Sequence, residues 1–274
     1  MRPPFPALLL LTACLAWTGP AGAHAIDALP APPADATTGD RTAAPAVGGE
    51  VATAAAAAHA LEPFMATYEA YYRGRPAGSA TMRLVRDQAP HWRIDLDLRA
   101  ERGVASLARL NIHQSTVFAE HAGHYRPLRQ ETVRHAILFG KEVSGHYDWE
   151  TMQARWSGDI KKKRREPVAL HPGDMSALLI NLAVMRDARP GAVLSYRFVD
   201  GGRVRDHVYH VQVTPEPMDV GEMSYAALRV ERSDDDGDQT LLWVADGVPT
   251  PIRILQREDG EDEIDLRLIE YRGA

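Results

Sequence analysis

From Trp92 to Glu101 apolar and polar side chains alternate without a break. Trp92, Ile94, Leu96, Leu98 and Ala100 fall on one side of an extended chain, and Arg93, Asp95, Asp97, Arg99 and Glu101 on the other. A period of two predicts an antiparallel strand with one buried and one wet face. Shorter runs repeat it at Ala80-Met82-Leu84, Tyr209-Val211-Val213 and Ile264-Leu266-Leu268. Turn-forming residues separate such runs at Arg73-Gly74-Arg75-Pro76, Asp200-Gly201-Gly202, Asp234 to Gly237 and Asp259-Gly260. The pattern predicts an all-β domain: an antiparallel curved sheet or half-barrel of roughly ten to twelve strands with one buried helix.

The helix is the one departure from period two. After Pro172-Gly173, Asp174 is placed to cap a helix running from Met175 to Arg186, which Asp187 and then Pro190-Gly191 close. Leu178, Leu179, Ile180, Leu182, Val184 and Met185 make it apolar on nearly all sides. Such a helix among strands is expected to pack on or inside the curved sheet. The stretch from Val104 to Asn111 fits helix and strand equally.

The pattern stops before residue 61. Residues 26–60 are dominated by Ala, Pro, Thr and Gly and read as a disordered Ala/Pro-rich tether. Residues 1–25 read as a secretory signal peptide. Arg2 supplies the charge, Ala7 to Trp17 the apolar stretch, and Ala21-Gly22-Ala23 or Ala23-His24-Ala25 the cleavage site. A second reading stands beside it: Leu11-Thr12-Ala13-Cys14 resembles a lipobox whose Cys14 is lipidated. Residues 61–274 remain as a single β-rich domain, long enough for one core.

Composition narrows the chemistry. Cys14 is the only cysteine, so a chain cleaved after it has no thiol chemistry and no disulfide. The formal net charge is −6, unevenly spread. Lys161-Lys162-Lys163-Arg164-Arg165 is a dense basic run, suited to lipid headgroups or to solvent, while Glu231 to Glu270 is acidic. Nucleic acid is not an expected partner of an exported chain.

Several short motifs resemble the bacterial envelope family known as domain of unknown function 3108. They are Phe64-Met65-Ala66-Thr67-Tyr68 leading to Gly78, the Gly123-x-x-x-Pro127 turn, and Tyr147-Asp148-Trp149. Asp174-x-Ser176 and the late Leu242-Trp243-Val244-Ala245-Asp246…Pro251-Ile252-Arg253 run complete the set. The resemblance covers about Phe64 to Arg272. It implies an exported, mostly β domain similar in outline to periplasmic lipoprotein carriers, with no catalytic residues to carry over.

No catalytic or cofactor motif stands out. His207 and His210 lie three apart on a strand and face opposite sides, and His121 and His124 flank a turn without a third ligand. Asp234-Asp235-Asp236-Gly237-Asp238 lacks the spacing of a calcium loop. No metal, cofactor or catalytic residue is therefore assigned. A hydrolase reading would require several of His113, His121, His124, Asp148, His207 and Asp246 to converge. The expectation is a non-catalytic periplasmic module, or an outer-membrane lipoprotein anchored through Cys14. Its groove, lined by Asp174, Ser176, Leu179, Leu182, Tyr68 and Tyr72, holds an apolar or amphipathic, lipid-like ligand. The alternative is an envelope module that meets a protein partner and fills its own core. Once the leader is cleaved, no membrane span is expected.

Overall fold

A computed structural model describes residues 61–102, 110–121, 123–136, 139–234 and 237–273. The leader, Cys14, the tether and most of the stretch from Val104 to Asn111 lie outside the described residues.

The first half of the domain is a meander of β1 (Phe64–Tyr72), β2 (Arg75–Arg86), β3 (Trp92–Ala100), β4 (Asn111–His121) and β5 (His124–Ala136). It continues through β6 (Phe139–Asp148), β7 (Gln153–Gly158) and the two-residue β8 (Val168–Ala169). Helix α1 (Ala177–Asp187) then interrupts the strands. The second half comprises β9 (Val193–Asp200), β10 (Arg203–Val211), β11 (Glu216–Val220) and β12 (Met223–Ser233). It ends with β13 (Gln239–Ala245), β14 (Arg253–Glu258) and β15 (Glu261–Gly273).

All pair antiparallel in one 15-stranded sheet ordered β8-β7-β6-β5-β4-β3-β2-β1-β15-β14-β13-β12-β10-β9, with β11 beside β12. The last strand lies next to the first. The strand count exceeds the expected ten to twelve because short strands leave little sequence signal: β8 has two residues, and β11 contains Pro217.

The alternation in β3 is real, but its wet face is not uniformly wet. Trp92, Ile94 and Leu96 are buried, and so is Asp95 at 1% exposure. Arg83 Nη2 (2.9 Å) and Arg93 Nε (3.1 Å) donate to the Asp95 carboxylate and cover it. Val213, expected to face inward with Tyr209 and Val211, lies past the end of β10 and is 70% exposed. The hairpins at Arg73-Gly74-Arg75-Pro76, Asp200-Gly201-Gly202 and Asp259-Gly260 form where the turn residues predict. At the first, Arg73 and Gly74 both take positive φ (49° and 71°), the paired left-handed geometry that matches strand twist.

Helix α1 begins later than Asp174 implies. Met175 is held extended by a parallel bridge to Phe198, giving its N–H to Arg197 O and accepting from Val199 N. A residue so fixed cannot be helical, and the N-cap is Ser176, whose Oγ accepts from Leu179 N. The correction moves the cap by two residues. Leu178, Leu179, Ile180, Leu182, Ala183 and Val184 are buried, and the helix packs chiefly on β3, β4, β5 and β9.

The same segment joins the two ends of the sheet. Tyr147 of β6, Ala154 and Trp156 of β7, and Leu170 pack with Val199 of β9. Tyr147 Oη donates to Val199 O at 2.7 Å. The outermost strands thus meet through side chains, without closing the hydrogen-bonded ladder. The basic run forms a short 3-10 turn, Lys162–Arg164, against the β9–β10 hairpin. A Cβ on Gly202 would lie 2.1 Å from the Arg164 carbonyl oxygen, so only glycine permits this backbone approach.

Candidate functional site

Two polar assemblies lie inside the sheet. The first anchors the N-terminus of α1. Asp200, at the end of β9, accepts from Ala177 N (3.2 Å) and from Gln130 Nε2, while Trp156 Nε1 donates to Gln130 Oε1 at 3.0 Å. Burial pushes the Asp200 carboxyl up to about 6, against the helix and glutamine hydrogen bonds that pull it down. Ser176 Oγ also lies 3.0 Å from Thr116 Oγ1 of β4. Asp174 is wholly buried, paired with Arg197 Nη1 at 2.5 Å, and accepts from His171 N. These groups satisfy one another, and the assembly holds the helix in place.

The second assembly is different because several of its groups lack partners. Cross-strand register places Tyr72 opposite Ile264, Ile264 opposite Gln256, Gln256 opposite Thr240, and Thr240 opposite Arg232. Directly opposed residues share a face, so these five form one row across β1, β15, β14, β13 and β12. The next row along the strands is Ala70, Leu266, Ile254, Leu242, Val230 and Val211, all buried. A polar row therefore borders an apolar one.

The polar row is short of hydrogen bonds. Arg232 is 4% exposed; its Nη1 donates to both oxygens of Asp234 and its Nη2 to Thr240 Oγ1, yet its Nε has no partner. Tyr72 Oη and Gln256 Oε1 are likewise buried without a partner. Between Gln256 and Arg257 the register shifts: Arg257 pairs with Asp262, and Glu263 is the extra residue of a bulge beside Ile264. Glu263 is 4% exposed, and neither carboxyl oxygen has a partner in good geometry. Burial first, and then the Glu258 carboxyl beside it, push Glu263 up to about 8. Nearby on β10, His207 stacks on Phe198 with ring centroids 4.8 Å apart, and neither ring nitrogen is bonded. Burial and the cations Arg232 and Arg205 drive its pKa down to about 3, so it stays neutral. Unpaired buried polar atoms cost about 1–3 kcal/mol each.

The sequence-predicted groove residues are divided by this geometry. Tyr72 belongs to the polar row, and Asp174, Ser176, Leu179 and Leu182 belong to the helix and its anchor. Tyr68 is fully buried, with its hydroxyl 2.5 Å from Thr250 Oγ1 and donating to Pro251 O at 2.9 Å. The histidine and aspartate candidates stay apart. His113 Nδ1 pairs with Asp97 (2.8 Å), His121 and His124 face each other across the β4–β5 turn, and Asp246 is exposed. Asp148 accepts from Glu150 N and Thr151 N, and the Thr151 contacts above all lower its pKa. Among the described residues no three His, Cys, Asp or Glu side chains are grouped to hold a metal ion. Glu263, Gln256 and Arg232 were not singled out by the sequence, where Glu263 reads as one member of the acidic run.

Fold and site together define a β-barrel-like protein with, among the described residues, one internal α-helix and a partly unsatisfied polar row on its inner wall. Residues 67–267 match the family described as "Protein of unknown function (DUF3108)", and the chain belongs to that family. Among solved structures it is similar to a beta-barrel-like protein of domain of unknown function DUF1849 from Brucella abortus. The two are 13% identical with a TM-score of 0.50, over 78% of this chain and 98% of that one. It is also similar, at 11% identity and a TM-score of 0.34, to a duf1089 family protein from Pseudomonas aeruginosa. That match covers 63% of this chain and 87% of the other. No curated protein matches.

Proposed function

We propose that this chain is an exported, non-catalytic module of the cell envelope that holds an amphipathic, lipid-like ligand on the inner wall of its sheet. The observation that carries this reading is the pair of adjoining rows. Unpartnered polar atoms on Tyr72, Gln256, Glu263 and Arg232 border the apolar row from Ala70 to Val211. A polar head gives the first row partners, and an apolar tail matches the character of the second, whose residues are buried within the protein. The leader and tether support export to the periplasm, with Cys14 lipidation as the route to an outer-membrane anchor. Among the described residues no helix is long and apolar enough to cross a membrane.

A second reading has its own support. Helix α1 fills the space against β3, β4, β5 and β9 with its own side chains, and Tyr68 binds the loop at Thr250 and Pro251. A core filled in this way suits a structural module that meets an envelope protein through its outer surface.

Native intact mass of protein purified from the envelope of an exporting bacterial host separates the two. A mature chain carrying a discrete adduct of lipid size is the expected result. The bare polypeptide mass, repeated across detergents and hosts, would overturn ligand carriage and leave the structural module.

A further inference from the structure

We infer that the basic turn at residues 161–165 docks the domain on the anionic face of a phospholipid bilayer. The chain has four lysines, Lys141, Lys161, Lys162 and Lys163, and the fold gathers all of them at one corner. Val143 of β6 pairs with Gly158 of β7. Just beyond that pair Asp159 N donates to Glu142 O at 2.7 Å, and Glu142 N donates to Asp159 Oδ2 at 3.0 Å. These bonds bring the β6 residue Lys141 beside the start of the run. The run is fixed in turn by Arg164 N to Lys161 O (2.8 Å) and Arg165 N to Lys162 O (3.1 Å). Arg165 Nη2 donates to Gly158 O at 2.9 Å, and the Arg164 backbone lies against Gly202 of the β9–β10 hairpin.

The lysines differ from the arginines in what they touch. Every described ion pair takes an arginine or His113 as its cation. The planar fork of arginine fits a carboxylate, and a charge so paired attracts little at a distance. All four lysines are exposed, and none of their side chains has a hydrogen-bond or ion-pair partner among the described residues. At the corner these four, Arg164 and Arg165 stand against Glu142, Asp159 and Glu166, so it is positive on a chain whose formal net charge is −6. The shape of the turn selects the partner. With about three residues per turn, successive side chains of a 3-10 segment fan outward, and they do not converge on one small anion. A fan of hydrated ammonium groups instead meets a flat sheet of phosphates, where each gains from the negative surface potential.

The test uses the mature chain beginning at His24, which lacks Cys14 and so carries no acyl group. Its partition onto vesicles is followed by cosedimentation, comparing phosphatidylcholine alone with equal parts phosphatidylglycerol and phosphatidylcholine. Binding to the anionic vesicles only is expected, and it should be lost when salt is raised from about 0.05 M to about 0.5 M. Lys161→Gln, Lys162→Gln and Lys163→Gln together should weaken it about a hundredfold, since each lysine near the bilayer accounts for about fivefold. Lys161→Arg, Lys162→Arg and Lys163→Arg together keep the charge and should keep the binding. Arg272→Gln, exposed at the other end of the sheet, should leave it within about twofold. No binding to anionic vesicles, equal binding to both compositions, or a triple glutamine variant that binds like the parent overturns the proposal. Self-association that the triple glutamine variant abolishes, without vesicle binding, also overturns it and assigns the corner to the acidic flank of a second copy.

Discussion

Asp200 offers the sharpest test of the interior. Its carboxyl is fully buried at the start of α1, and burial raises it from 3.8 to about 6. A carboxyl raised on folding is penalised once ionised. Below about pH 3 both states are protonated and the penalty is absent. As pH rises toward 6 the folded state keeps a proton that the unfolded state has lost, and stability falls. Above about pH 7 the loss is complete, at about 3 kcal/mol.

Two other groups shape the raw profile. Glu263, raised to about 8, lowers stability over a window extending to higher pH. His207, lowered to about 3, acts oppositely: stability rises between about pH 3 and 6.5 as the unfolded imidazole loses its proton. Both cancel in a difference. Asp200→Asn removes one titration and keeps an oxygen for Ala177 N–H, although the Gln130 amide must turn. Urea unfolding of both proteins from pH 3 to 7 should therefore show the stability difference moving by about 3 kcal/mol in favour of the variant. A difference that stays constant across that range would refute the buried, penalised carboxylate.

Two further outcomes probe the packing. Leu179→Asp places a carboxylate at a helix position with no exposure and should abolish the cooperative melting transition; a cooperative, unshifted melt in differential scanning calorimetry contradicts the buried helix. Tyr68→Phe strips the hydroxyl from Thr250 and Pro251 and should cost about 1–3 kcal/mol in chemical denaturation, so an unchanged midpoint would mean that the loop does not depend on this contact.

Elements carried by local pattern were legible. The alternation from Trp92 onward became β3, the paired turn residues at Arg73-Gly74 and Asp259-Gly260 became hairpins, and the uniformly apolar stretch became α1. The helix start was misread because Asp174 and Ser176 are both good caps. The bridge from Met175 to Phe198 decides between them, and that partner lies beyond any local window. Asp95 looks like any outward aspartate until β2 and β3 are aligned and Arg83 comes to lie over it.

The sequence by itself determined a period-two domain and the apolar helix α1. Side-chain periodicity and turn chemistry depend only on neighbours along the chain, and those signals survive without a structure. The candidate site was decided by tertiary structure alone. Tyr72, Gln256 and Arg232 fall in one row because five strands from opposite ends of the domain pair side by side. Glu263 joins them because a single extra residue in β15 turns it toward the interior. Burial then raises the cost of ionising an ordinary acidic residue, since the cost of charge is set by what surrounds it in space.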